Sequence, residues 1–126
     1  MSGVLVRVVT ESICGPVLVV GEHVGDRWDV AWALHEAGIR AEQLGSADQA
    51  RDRIAHGRFT GVVVKQSVGD AELVDDLADR LEPDPVTGEV PFLLVAPRAT
   101  TPREVVARVQ TLIRVKAQAS WSSDPR

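Results

Sequence analysis

Three short runs of consecutive apolar residues are separated by longer segments in which apolar and polar positions alternate with a helical period. These runs are Val17–Val20, Val62–Val64 and Phe92–Val95. A continuous apolar run of this length is typical of a strand that is buried on both faces of a parallel sheet. A weaker strand is predicted over 39–44. The β-branched segment Val4–Val9 is also expected to be extended, and the turn at Gly15 would end it.

Four amphipathic helices are predicted between and after these strands. The first spans about 26–37, and the second opens at Ser46 with Gln49 as its capping-box partner. Asp70 is expected to cap the third helix, and Thr101 the last one. The apolar positions that should point inward are Val30, Ala33, Leu34 and Ala37 on the first helix, Leu73, Val74, Leu77 and Leu81 on the third, and Val105, Val106, Val109, Leu112 and Ile113 on the last. This alternation predicts an α/β fold with a doubly wound, mostly parallel sheet that is covered on both faces.

Composition and charge narrow the classes of protein. The chain has 126 residues, of which 44% are hydrophobic and 25% are charged, so one domain with an ordinary core is expected. A net charge of −4 gives no electrostatic reason to expect nucleic acid or an anionic membrane surface as a partner. Cys14 is the single cysteine, which excludes an internal disulfide and fits a reducing cytoplasm. Arg7 interrupts the first apolar run, which is too short for a signal peptide or a membrane span.

Several stretches of the chain share their residues and spacing with one known family. They are Val-Leu-Val-Val at 17–20, Glu-Ala-Gly-Ile at 36–39, Ser46–Ala50, Pro91–Pro97 and Pro102–Arg114. Over about 16–116 the chain therefore resembles the receiver domain of bacterial response regulators. The resemblance implies a flavodoxin-like strand order. It leaves 1–15 as an N-terminal extension strand that the family lacks, and the polar residues 117–126 are expected to form a flexible tail. It also implies two-component signalling as the setting.

The positions that carry phosphorylation in that family hold different residues here. The resemblance puts Gly21 and Glu22 at the acidic pair that binds magnesium, and Lys65 at the phosphoryl-accepting aspartate. It puts Ala96 at the hydroxyl residue that contacts the phosphoryl group. An ammonium cannot form an acyl phosphate, and it repels a bound metal. We therefore expect these four residues to form a degenerate phosphorylation site, with no catalysis, no metal and no cofactor.

The segment between the fourth strand and the last helix is too short for the rest of that family's sheet. Only Ala96–Thr101 separates the two, whereas a crossover to a further parallel strand needs a dozen or more residues. The fourth helix and fifth strand of the family are therefore expected to be missing. In the order 2-1-3-4, the strand with Phe92 and Leu94 becomes an unpaired edge. The extension with Val4 and Val6 could fill this edge in its own chain or swap into a second copy, so these four apolar residues are a candidate partner surface.

Trp28 and Trp32 form the other candidate partner surface. They lie four residues apart on the first predicted helix, nearly opposite its apolar face, and tryptophan is enriched at the hot spots of interfaces. The alternative is that both rings pack against the last helix or the C-terminal tail.

Lys65 and Glu22 should lie at the carboxyl ends of neighbouring strands, where ligands bind in sheets of this kind. One interpretation is that their pairing imitates a fixed charge state of the family's switch. The other is that an ordinary salt bridge fills a decayed pocket, and we favour this one because structural ion pairs commonly resemble sites.

The function that follows is a phosphorylation-independent pseudo-receiver. It would be a regulatory or scaffolding module of bacterial signalling that binds another protein or a second copy of itself as a homodimer. The alternative is a small-molecule sensor whose crevice, over Gly21–Gly25, Lys65–Gly69 and Ala96–Arg98, would use Lys65 and Arg98 to bind an anionic ligand. An enzyme is the third class, and it fits least because no nucleophile with a matching base is recognisable.

Overall fold

Strands and helices alternate along the chain in the computed structural model, which describes residues 15–66, 71–85 and 88–122. The strands are β1 (Val17–Val20), β2 (Ala41–Leu44), β3 (Gly61–Gln66) and β4 (Phe92–Pro97). The helices are α1 (Val24–Glu36), α2 (Ala47–Ala55), α3 (Ala71–Arg80) and α4 (Pro102–Ser122). The predicted strand Val4–Val9, Cys14 and the predicted cap Asp70 lie outside the described residues.

The strands of the described chain form one all-parallel sheet in the order β2-β1-β3-β4. β1 lies between β2 and β3 and pairs with both along its whole length. β3 pairs with β4 from Gly61–Phe92 to Gln66–Pro97. The predicted α/β fold with a flavodoxin-like order is therefore confirmed. Because the strands are parallel, their carboxyl ends all lie at the same end of the sheet.

Two apolar clusters cover the two faces of this sheet. On one face, Val17, Val19 and Val63 pack against α1 and α4. The buried helical residues of that cluster are Val30, Ala31 and Leu34 of α1 and Val105, Val109 and Ile113 of α4. On the other face, Leu18, Val20, Val62 and Val64 pack against α2 and α3 through residues that include Ala50 and Leu77. β1 is fully buried, as its continuous apolar run predicts.

Local capping signals determine where two of the helices begin. The Ser46 side chain accepts a hydrogen bond from the Gln49 backbone N–H at 3.1 Å, as the capping-box pattern predicts. The Gln49 side chain, however, accepts from the N–H of Gly45 at 2.7 Å rather than from that of Ser46. At the start of α4, Thr101 Oγ1 accepts from the Glu104 N–H at 3.2 Å. Both caps satisfy backbone donors that the first turn of a helix leaves unpaired.

The structure differs from the predicted elements at two helix ends. α1 begins at Val24 and ends at Glu36, and Ala37, which was expected to face inward, is exposed because the chain already leaves the helix there. Gly38 follows with φ +83°, a conformation that glycine adopts without strain. The domain boundary expected after Lys116 lies inside α4, which continues to Ser122.

Lys116 fastens the far part of α4 to the amino ends of β3 and β4. Its Nζ donates to the carbonyl oxygen of Val90 at 3.0 Å and to that of Thr60 at 3.4 Å. Both carbonyls lie just before a strand, so the helix is tied to the edge of the sheet where β3 and β4 begin.

Candidate functional site

The four residues of the predicted degenerate site come together at the carboxyl ends of β1, β3 and β4. Gly21 and Glu22 directly follow β1, and Lys65 of β3 pairs in register with Ala96 of β4. A Cβ placed on Gly21 would lie 3.3 Å from the Cβ of Lys65, so these two residues are in direct contact. The juxtaposition follows from the parallel sheet, whose strand ends converge at one edge.

The Lys65 side chain crosses towards the segment that precedes α4. The residue is 8% exposed, and its Nζ donates to the carbonyl oxygen of Thr100 at 3.0 Å. The expected salt bridge with Glu22 does not form, and within the described ranges no carboxylate pairs with this ammonium. Glu22 is exposed, so water solvates its carboxylate, whereas the lysine hydrogen-bonds to a carbonyl on the opposite side.

Arg27 is a residue of this site that sequence reasoning missed. Its Nη1 donates to the carbonyl oxygen of Gly21 at 2.7 Å, and its guanidinium lies so close to Gly45 that a Cβ there would be 3.1 Å from Nη1. Its Nε is buried without a hydrogen-bond partner. A signal was present in the sequence, because Arg27 lies on the first turn of the helix that follows β1 and therefore stands over that strand's carboxyl end.

A cavity of about 220 Å³ opens above these strand ends. Its polar lining includes Glu22, Ser46, Lys65 and Glu72, so both signs of charge are present. Arg98, which was expected to bind an anion together with Lys65, is exposed and does not line this cavity. Residues 67–69 of the predicted crevice lie outside the described ranges.

At the ends of β3 and β4 the side chains present are an ammonium and a methyl group. Lys65 offers an ammonium where an acyl phosphate needs a carboxylate, and Ala96 offers no hydroxyl for a phosphoryl oxygen. In the part of the chain that the structure describes, histidine, cysteine and carboxylate side chains form no group of three or more that could hold a metal.

Trp28 and Trp32 stack on one another on the outer side of α1. Their ring centroids are 5.3 Å apart with an interplanar angle of 4°, and each residue is 50% exposed. The ring of His35 lies 6.1 Å from that of Trp32, and Val24, one turn before Trp28, is 64% exposed. We call this stripe of Val24, Trp28, Trp32 and His35 the tryptophan face. Its two indoles pack on each other and leave half of their surface to solvent.

A wider cavity of about 540 Å³ lies near the amino ends of the strands, where α2 and α3 end. Arg58 and Asp84 line it, and they join in a two-point ion pair, with Nε–Oδ2 at 2.7 Å and Nη2–Oδ1 at 3.3 Å. The Asp84 side chain is only 5% exposed. This pair fastens the loop before β4 to the segment before β3, and it was not predictable because 26 positions separate the two residues.

No helix in the described ranges combines the length and the apolar character that crossing a bilayer requires. Comparisons with models of protein families and with curated proteins find no match for this chain.

Proposed function

We propose that the chain is a pseudo-receiver, a protein-binding module whose partner binding does not depend on phosphorylation. The observation that carries this proposal is the tryptophan face. Stacked, half-exposed indoles present a large apolar area in a fixed orientation, so a partner that covers them gains hydrophobic burial at little cost in side-chain entropy. An exposed apolar surface of this kind commonly marks an interaction site.

Independence from phosphorylation is supported by the geometry around Lys65. The ammonium occupies the end of β3 and already holds the Thr100 carbonyl at 3.0 Å. The Lys65 side chain thus ties the segment before α4 to the sheet with no phosphoryl group required. The arrangement of this segment would therefore not depend on phosphorylation.

The setting that we propose is bacterial two-component signalling, in which the module regulates or scaffolds other proteins. This rests on the resemblance over about 16–116 and on the site residues that it aligns. A reducing cytoplasm fits the single cysteine, Cys14. A second copy of the chain is one candidate partner, and mild net acidity disfavours nucleic acid.

The test is to remove the tryptophan face without touching the core. The double variant Trp28→Ala/Trp32→Ala is compared with Val115→Ala, which shortens an apolar side chain on α4 at a residue that is 52% exposed. Mass in solution reports self-association, and quantitative co-purification from the native host reports a partner. We expect the control to keep whatever the wild type binds and the double variant to lose it. If the double variant keeps both its mass and its partner, the proposal is wrong.

An anionic small molecule in the 220 Å³ cavity is a second candidate, because a buried cation lines it. Lys65 is 8% exposed, and no carboxylate among the described residues pairs with it. A buried cation is stabilised by an anion that replaces its lost hydration. Inorganic phosphate is then expected to raise the melting temperature of the wild type and of Arg98→Met, but not of Lys65→Met. Equal shifts in all three proteins would contradict this function.

A further inference from the structure

The outer edge of β4 has backbone groups without a strand partner in the described chain. The Phe92 N–H donates to the Thr60 carbonyl at 3.4 Å, so the backbone N–H and C=O groups of Phe92 point towards β3. In a parallel strand these backbone groups point to alternate sides from one residue to the next. Those of Leu94 and Ala96 therefore also point towards β3, and those of Leu93 and Val95 point away from it. In the sheet as described, β4 is the last strand on this side. The N–H and C=O groups of Leu93 and Val95 are therefore available to a further strand.

The side chains of β4 indicate a missing neighbour on both faces of the sheet. Phe92 and Leu94 pack against the cluster under α1 and α4, and Leu93 packs against the cluster under α2 and α3. All three are only partly buried, as is Val95, whereas β1 is buried at every position. A strand placed beyond β4 would cover apolar surface on both sides.

β2, the edge strand on the other side of the sheet, is poorly suited to pairing with a further strand. β2 has only four residues, and its middle is polar, with Glu42 held by the Arg53 Nε at 2.8 Å. Short edge strands that carry charged side chains resist the addition of another strand. The apolar edge of β4 is thus the acceptor edge of this sheet.

The described chain begins on the side of the sheet where β4 lies. The Gly15 carbonyl accepts a hydrogen bond from Thr60 Oγ1 at 2.7 Å, and a Cβ on Gly15 would lie 2.8 Å from the Arg58 carbonyl oxygen. Both partners belong to the segment that leads into β3. From Gly15, which lies just before β1, the position beyond β4 is about three strand spacings away, or about 14 Å.

We propose that Val4–Val9 pairs with the outer edge of β4 in the same chain, as an antiparallel fifth strand. Six Cα–Cα steps join Val9 to Gly15, so the connector can span about 20 Å, which exceeds the distance of about 14 Å. A parallel strand would end at the carboxyl edge, and the connector would then also have to return along the strand, about 22 Å in all. The short tether also gives the segment a high effective concentration at its own edge, which favours pairing within one chain over exchange.

The sequence of the segment fits a strand that is covered on both faces. Every position from Val4 to Val9 is apolar except Arg7. Its length also matches β4, which has six residues. An antiparallel edge strand on an otherwise parallel sheet is common in doubly wound folds.

Amide exchange at single residues tests the pairing. Val6→Asp/Val8→Asp places charges in the segment without shortening the chain, and Ser2→Asp adds a charge before it as the matched control. In the wild type and the control, the amides of Leu93 and Val95 are expected to exchange at least about tenfold more slowly than in the double variant. The amides of Phe92 and Leu94, which face β3, should change less. Equal exchange of Leu93 and Val95 in all three proteins would overturn the proposal.

A spin label tests the direction of the strand and the chain that supplies it. The label is attached to Ser2→Cys in a Cys14→Ser background. An antiparallel strand within one chain broadens the amide signals of Ala96 and Arg98 more than that of Phe92. Stronger broadening of Phe92 contradicts the direction. If labelled protein broadens the signals of a separate, isotope-labelled copy, the strand is exchanged between chains and pairing within one chain is wrong.

Discussion

The Lys65 ammonium lies 3.0 Å from the Thr100 carbonyl oxygen, so the end of β3 is joined to the start of α4 across β4. The resemblance to receiver domains puts the phosphoryl-accepting carboxylate at this same position. The contact that forms here is made by the protein's own side chain, without a transferred group. This contact bears on whether a phosphodonor can modify the protein.

We expect no phosphoprotein when the wild type is incubated with a small phosphodonor and magnesium. Lys65→Asp should behave in the same way, because Gly21 still supplies no carboxylate to bind the metal and Ala96 still supplies no hydroxyl. Intact-mass measurement checks both proteins, with a functional response-regulator receiver as positive control. A stoichiometric phosphoprotein that disappears on substituting one residue would contradict the assignment of the site as degenerate.

Acid should weaken the link between α2 and α3. Hydrogen bonding to Arg51, and secondarily to Arg80, lowers the pKa of Asp76 from its ordinary value, although burial partly opposes the shift. Because the folded-state pKa is lower than the unfolded one, this carboxylate contributes stability above the unfolded pKa of about 4. That contribution is lost as the pH falls through the folded pKa.

The measurement is urea unfolding over the acid range for the wild type and Asp76→Asn. The variant should be less stable than the wild type at neutral pH, and the difference should shrink as the pH falls. Asp75→Asn is the matched control, because the neighbouring Asp75 is exposed. A constant difference between Asp76→Asn and the wild type at every pH would refute the linkage.

Gly15→Ala should destabilise the fold. The residue has φ +140°, and the added Cβ would meet the Arg58 carbonyl oxygen at 2.8 Å, so a loss of about 1–3 kcal/mol in the free energy of unfolding is expected. Gly25→Ala is the control, since a Cβ there meets nothing within 4 Å and lies on α1. That substitution should instead raise the stability by up to about 1 kcal/mol. Equal effects of the two changes would contradict the backbone geometry at Gly15.

The stacked indoles should give an exciton couplet in the far-ultraviolet circular dichroism spectrum. Either Trp28→Ala or Trp32→Ala removes one partner, so each single variant should lose the whole couplet. The accompanying loss in the free energy of unfolding should stay within about 1.5 kcal/mol, because the rings contribute their mutual contact but little core burial. A couplet that persists in both single variants would mean that the two rings do not stack in solution.

The sequence predicted most of the fold because its signals are local. Continuous apolar runs indicate buried parallel strands, and the caps at Ser46 and Thr101 are set by side chains within one helical turn. The meeting of Gly21, Lys65 and Ala96 was also predictable, since the carboxyl ends of parallel strands share an edge. The expectation that the chain forms no further parallel strand after β4 depended on a simple length, the short segment between β4 and α4.

The partners of long charged side chains were not predictable. Lys65 was expected to pair with Glu22, yet a flexible lysine can reach several acceptors, and three-dimensional packing selected a backbone carbonyl. The position of Arg27 over the end of β1 was predictable, but its hydrogen bond to Gly21 was not, because that bond depends on the angle at which α1 leaves β1. Arg58 and Asp84 are 26 positions apart and come together only in the folded sheet, so no local sequence pattern predicts their ion pair.

The two lysine contacts of the described chain also set the mechanics of α4. Lys65 holds the segment at its start to the carboxyl edge, and Lys116 holds its later part to the amino edge at Val90 and Thr60. Because these contacts lie at opposite ends of the strands, a shift of the helix along its axis would break at least one of these hydrogen bonds. Axial displacement of α4 therefore has a free-energy cost, which loss of either lysine side chain would lower.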